Sequence, residues 1–355
     1  MIELIKYTEK ERWNEVVFGY KNNDIYYTNE YVVSFMENED GIPYLLSYEQ
    51  NDIKLCYPII EKDISKFYPF NKILEQEKLY DWSTPYGYGG PLSNKEKLSK
   101  EQQQEFKKEL YKFAQERNIV SQFFRFHPLL QNHLILKEAI DYFYIKDTIF
   151  INLATEDDLM VQMESKNRNM IRKAVKNGIE IRHDKGTFLK EFIDIYSETM
   201  DRDHARDFYY FPKSYYHYIL DKMGDNTEFF YAYLNEKIIA SAIFFYNDRY
   251  MHYHLSGSLN EYMSYAPTNL LLYEAANWGR KKGLKKLHLG GGVGVEDGLF
   301  NFKKKFNKEG RIKFCIGRSI FLPQIYKELL DKRKKFNKNF DINNDYCIQY
   351  RKVEV

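Results

Sequence analysis

Hydrophobic positions along this chain alternate between a period of two and a period near 3.6, so strands and helices succeed one another throughout. In the first half, Tyr44-Leu45-Leu46-Ser47-Tyr48 and Ile53-Lys54-Leu55-Cys56-Tyr57 flank Asn51-Asp52, a turn pair between β-forming runs that predicts a hairpin. A short helix is predicted over 31–38, and the turn formers Pro85, Gly87, Gly89, Gly90 and Pro91 predict a loop over 82–91. Phe106, Leu110, Phe113 and Ala114 stand at helical spacing within 101–117, while 120–126 and 148–153 read as strands. In the second half, Thr155-Glu156-Asp157-Asp158 places acidic residues where a helix N-terminus favours them, and Gly178 marks that helix's end. Helices are predicted over 188–199 and 212–222, strands over 229–234, 238–246 and 249–256, and a helix over 266–282 closed by Gly283. A short strand over 286–289 runs into Gly290-Gly291-Gly292, and a last helix over 323–336 precedes a strand-like tail.

Each half therefore shows helices, then a hairpin, then a strand–helix–strand unit. This order predicts an α/β (α+β) fold of two related units, 1–153 (completed by 318–355) and 154–317, packed over a shared cleft. The length of 355 residues favours two domains, and 44% hydrophobic with 17% aromatic residues suffices for packed cores. Charge nearly cancels, with 53 basic against 51 acidic residues, so any basic surface is local. One basic cluster spans 166–182, with six basic residues and one acidic; another spans 301–340, with thirteen basic and three acidic. Such clusters suit phosphates of a nucleic acid, a diphosphate or an anionic membrane, and equally suit a solvated helix face. Cys56, Cys315 and Cys347 lie far apart without metal-ligand spacing, which points to no disulfide framework, no metal and a reducing compartment. No run of about 18 uncharged apolar residues occurs, so the chain reads as cytoplasmic, with peripheral contact at the inner membrane face as a further reading.

Several segments, taken in order, are recognisable. They are Tyr86-Gly87-Tyr88-Gly89-Gly90-Pro91, Asn167-Arg168 through Lys173-Ala174 with Gly178, Tyr196 to Arg202, Tyr253-His254-Leu255-Ser256-Gly257-Ser258, Ala266-Pro267 with Leu270-Leu271, Leu289-Gly290-Gly291-Gly292, and Phe302-Lys303 with Phe306. With these the chain resembles the Fem family of peptidoglycan-bridge aminoacyltransferases and its FemAB-like relatives. The resemblance implies two tandem units of the acetyltransferase (GNAT) type. It also implies an aminoacyl-tRNA donor and a muramyl-peptide amine as acceptor. Many Fem proteins insert a long coiled-coil arm in the second unit, for which 199–227 leaves no room.

Attack of an amine on an ester passes through an oxyanion that needs positive charge or N–H donors nearby. The resemblance assigns that role to Lys303, with Phe302 beside it; without it, Lys303-Lys304-Lys305 also reads as a solvated basic run and Phe302 with Phe306 as core contacts. Gly290, Gly291 and Gly292 allow close approach of backbone to substrate, although glycines at a strand end are mostly turn devices. The Fem pattern places Asn167, Arg168, Arg202, Tyr209, Tyr253, His254 and Ser256 at the substrates; taken alone, Arg202 and Tyr209 read as a capped turn. His252 and His254, two apart on a strand, share a face, and no carboxylate or thiol near them in sequence completes a metal site. The loop 261–267 carries no glycine where a CoA-binding enzyme of this fold cradles pyrophosphate. That favours aminoacyl-tRNA over acyl-CoA as co-substrate, with no bound cofactor. An acyl-CoA-dependent N-acyltransferase of an amino sugar or other small amine, and a non-catalytic RNA-binding module, are the alternative readings.

Overall fold

Asn51 adopts the left-handed backbone (φ 54°) that lets a two-residue turn join two strands, and the predicted hairpin forms around it in a computed structural model describing residues 1–36, 41–74 and 78–353. In chain order the first unit builds β1 (Ile2–Lys6), α1 (Lys10–Phe18), α2 (Asn29–Ser34), β2 (Ile42–Gln50), β3 (Ile53–Asp63), α3 (Phe70–Ile73), β4 (Tyr80–Ser83), β5 (Leu92–Ser93), α4 (Lys100–Glu116) and β6 (Ile119–Arg125). The end of the helix predicted over 31–38 lies outside the described residues. Strand β7 (Asp141–Asn152) leads into the second unit, which adds α5 (Ser165–Lys176), β8 (Glu180–Asp184), α6 (Leu189–Arg202), α7 (Lys213–Met223), β9 (Thr227–Leu234), β10 (Lys237–Tyr246), β11 (Tyr250–Ser258), α8 (Pro267–Lys281), β12 (Lys286–Gly290) and α9 (Gly298–Lys304). The chain closes with β13 (Arg311–Ile320) and α10 (Pro323–Phe336). Residues 1–145 with 314–355 form one compact unit, and 146–313 the other.

In the first unit the strand order is β1-β2-β3-β4-β6-β13, with β5 beside β3. Every pair is antiparallel except β4 with β6. In the second the order is β8-β9-β10-β11-β12-β7, again antiparallel except for one pair, β11 with β12, at the same place in the series. Helices α4 and α8 each connect the parallel pair. The two sets of strands are thus one pattern used twice. This is the tandem α/β arrangement the sequence predicts, and residues 199–227 hold the end of α6, two short 3₁₀ turns, the eleven-residue α7 and the start of β9, with no coiled-coil arm.

Local chemistry explains the element ends. Ser99 and Gln102 form a reciprocal capping box at the start of α4. Asn235 and Glu236 take left-handed backbone (φ 47° and 60°) between β9 and β10. Three boundaries differ from the sequence reading. Trp82 lies within β4 rather than opening a loop, its ring buried against Phe113 and Phe321. The acidic run at 155–158 starts no α-helix: Asp158 caps a 3₁₀ turn, Leu159–Gln162, whose Gln162 side chain bonds both backbone groups of Asn152. That tether breaks the helical path, and α5 starts later. The tail after α10 is not a strand. Buried Arg333 holds the Tyr350 and Lys352 carbonyls at 2.7 Å each, and Arg351 meets Asp81, fixing a 3₁₀ turn, Gln349–Arg351. Arg333 is therefore lost from the basic surface expected over 301–340.

The second unit's core joins Ile149, Ile151, Ile171, Phe230, Phe244, Met251, Leu271, Leu287 and Phe300 between sheet and helices α5 and α8. Helix α6 lies directly on β11, where Thr199 Oγ1 accepts the Ser258 N–H at 3.0 Å. No described helix is long and apolar enough to cross a membrane. A Cβ on Gly257 would stand 2.6 Å from the Ile195 carbonyl oxygen, so backbone must move to admit one. Gly257→Ala is expected to destabilise the chain by about 1–3 kcal/mol in urea denaturation; a wild-type midpoint would show that α6 does not need this approach.

Candidate active site

The parallel pairing of β11 with β12 covers only Tyr250–Lys286, Met251–Leu287 and His252–His288, after which the strands part. Two irregularities act there. Pairing of β10 with β11 slips between Ile243 and Phe244, leaving His254 as an extra residue, and pairing of β12 with β7 slips between His288 and Gly290. Gly290 takes left-handed backbone (φ 73°) and turns the chain out of the sheet. The loop that follows is clasped by Asp297, the N-cap of α9, whose carboxylate accepts N–H groups of Gly294 (2.7 Å) and Phe300 (2.8 Å). Burial alone would raise that carboxyl, but the backbone N–H groups of Phe300, Gly294 and Val293 more than offset it and hold it below its ordinary range. Gly292 packs so close that a Cβ would fall 2.0 Å from Asp297 Oδ1.

Lys303 lies in the last turn of α9, and its side chain is buried, only 8% exposed, instead of solvated. Its Nζ donates to the Gly291 carbonyl at 2.8 Å and sits 5.7 Å from the centre of the Tyr253 ring. Burial pulls its pKa down to about 8, with the Asp297 carboxylate opposing and the Lys146 ammonium adding to the fall. Burial also pushes the Tyr253 phenol up to about 12, while its bond to the Ser256 hydroxyl acts the other way. Lys303, Tyr253, Ser256 and Gly290 to Gly292 are thus gathered where the strands part. Phe302 packs on the core, edge-on to Phe306.

The other expected residues lie elsewhere. Asn167 is fully buried and accepts the Asn269 amide at 2.7 Å, linking α5 to α8 rather than facing a substrate. Arg168 bonds the Met163 carbonyl and the Ser165 hydroxyl at the start of its own helix. Arg202 reaches the Ser258 carbonyl (2.9 Å) at the end of β11, and the half-exposed Tyr209 ring packs edge-on against Phe208. His254 shares a hydrogen bond with the Tyr215 hydroxyl, and burial, helped by His252, lowers its pKa to about 3, so it is a neutral imidazole near pH 7. His252 stands edge-on to His288, whose Nε2 meets the Thr148 hydroxyl at 2.9 Å. The glycine-free loop before α8 is a 3₁₀ turn, Asn260–Tyr265, ending on Ala266 in left-handed backbone (φ 60°). Sequence reasoning passed over Lys146 and Asp297. Asp297-x-x-Phe300 carries an N-cap signal that could have been read; Lys146 meets the loop only through strand pairing and left no signal.

Residues 165–304 match the family described as Acetyltransferase (GNAT) domain. Among solved structures the chain is similar to FemX (14% identity, 92% of this chain and 99% of that one, TM-score 0.66). It is similar to the C-terminal domain of a putative lysylphosphatidylglycerol synthetase from Agrobacterium fabrum (12% identity, 91% and 97%, TM-score 0.55). It is also similar to a tandem GNAT protein from the clavulanic acid biosynthesis pathway (8% identity, 90% and 99%, TM-score 0.50). No curated protein matched the sequence. The chain has a Fem-like tandem GNAT fold, and the matched domain supports an acyltransferase.

Lys303 also makes folding stability depend on pH. Its folded pKa, about 8, is below the ordinary 10.5. Between those values the unfolded chain binds more protons, so stability rises with pH across that window. Urea unfolding at pH 7.5 and 9.5 should show a gain for wild type that is smaller for Lys303→Met; equal gains would place the Lys303 pKa at its ordinary value.

Proposed function

We propose that this chain transfers an aminoacyl group from aminoacyl-tRNA to an amine of a peptidoglycan precursor. The observation that carries the reading is the Lys303 ammonium, buried where β11 and β12 part and oriented by the Gly291 carbonyl. The neutral acceptor amine attacks the ester carbonyl, the new C–N bond forms, and charge gathers on the carbonyl oxygen. A preorganised cation in a water-poor site stabilises that oxygen far better than water does. Collapse breaks the C–O bond to the terminal ribose, and the ammonium proton of the attacking nitrogen passes to the departing oxygen. Lys303, with a pKa near 8, is largely charged at neutral pH and loses the charge above it.

The similarity to FemX supports an aminoacyl donor, and the Agrobacterium fabrum relative is named for synthesis of an aminoacyl lipid. A second reading, an acyl-CoA donor, draws on the acetyltransferase domain match. Against it stands the 3₁₀ turn before α8, which presents Met263 and Tyr265 to solvent and has no glycine loop for a pyrophosphate.

Purified protein, charged tRNA and a nucleotide-linked or lipid-linked muramyl pentapeptide should yield a peptide longer by one or more residues. Lys303→Ala should lower kcat about 100-fold or more, and wild-type kcat should fall as pH rises beyond about 8. Failure of every charged tRNA on both acceptors, together with thermal stabilisation by acetyl-CoA, would move the assignment to the CoA-dependent reading.

A further inference from the structure

Three consecutive carbonyls in the loop after β12 face ammonium groups. Gly291 O accepts from Lys303, while Gly292 O and Val293 O both accept from Lys146, the latter at 2.9 Å. Lys146 belongs to β7, which is fixed to β12 by main-chain pairing of residues 149–152 and by the Thr148–His288 hydrogen bond. The cation is thus presented from a paired strand to the root of a loop containing Gly290, Gly291, Gly292 and Gly294. Glycines give a backbone wide freedom, and the Gly291 carbonyl holds Lys303 only if that freedom is removed. Asp297 restrains the loop through its N–H groups; Lys146 restrains it through its carbonyls.

We propose that Lys146 is a positioning residue for acyl transfer: by drawing the Gly292 and Val293 carbonyls to itself it fixes the Gly291 carbonyl, and with it the Lys303 ammonium beneath Tyr253. The inference rests on the proposed role of Lys303. It also gives Lys146 an electrostatic effect. The groups facing Lys303 are Asp297 from the start of α9, Lys146 from β7 and Tyr253 from β11. Asp147 on β7 and Glu296 in the loop before α9 are paired with Arg311. Asp297 favours the charged form of Lys303 and Lys146 opposes it, so removing the Lys146 charge moves the Lys303 titration upward.

Competitive acetylation by acetic anhydride, read at Lys303 by peptide mass spectrometry across pH, measures that titration with no substrate present. The wild-type midpoint should lie near 8. Lys146→Met should raise it, and Lys146→Gln, which retains a donor for the carbonyls but no charge, should raise it too. Lys146→Arg should leave it near the wild-type value. In the transfer assay Lys146→Met should lose about tenfold in kcat, with KM changed less, as loss of an orienting contact does. The alkaline limb of kcat should move up with the midpoint, and Lys146→Arg should recover most of the rate. Lys146→Met or Lys146→Gln protein that is folded and keeps the wild-type midpoint overturns the proposal. An inactive wild type with the expected midpoints overturns the functional reading and leaves the link between the two lysines intact.

Discussion

A cation taken out of water must be met by oxygen atoms, because an isolated buried charge costs far more than any packing beside it returns. In the second unit that requirement falls on Lys303 and its neighbour Lys146, and the backbone carbonyls of Gly291, Gly292 and Val293 answer it. They can do so because β12 parts from β11 after His288 and ends at Gly290, freeing the carbonyls that a continuing strand would have used in pairing. The left-handed Gly290, the close packing of Gly292 on Asp297 and the N-cap of α9 all maintain that departure. The site is thus a place where sheet formation stops and the unused main-chain dipoles are turned to hold a charge.

The two units show what is general and what is particular. Both use five neighbouring pairings in the same sequence of senses, with the single parallel pair fourth. In the first unit β4 and β6 pair over four residues of β4, and a further bridge joins Gly89 to Phe126 beyond it. In the second unit the corresponding strands separate after three pairs and receive α9 with its lysine. The sheet pattern explains the architecture of both, and the chemistry depends on how one strand pair ends.

Much of this was legible in the residues. Turn pairs at Asn51-Asp52 and Asn235-Glu236, helix stops at Gly178 and Gly283, and the span of α10 follow from local propensity, which tertiary contacts here reinforce. The gathering of Lys303 with the three glycines was also readable, since both lie within one strand–loop–helix passage. What could not be read depends on distant partners. Asn167 was expected at the substrates, but its partner Asn269 stands about a hundred residues later, and Asn167 lies in the interior. The run 155–158 looks like a helix start until Gln162 is seen bonding to Asn152. The tail looks like a strand because its anchors are tertiary, Arg333 in the preceding helix and Asp81 270 residues before Arg351.

The sixth strand of each unit is supplied out of turn. β7, which completes the second unit's set of strands, precedes every other strand of that set, whereas β13, which completes the first unit's, follows all the others in its set. During synthesis from the N-terminus the second unit therefore has its full set of strands once residue 290 has emerged, while the first, begun much earlier, still lacks an edge. The exposed flank of β6 must stay unpaired through the making of nearly two hundred further residues. Of the two units, the one whose strands begin earlier in this sequence receives its last strand later, and a chain released before β13 would hold the full set of strands in the second unit but not in the first.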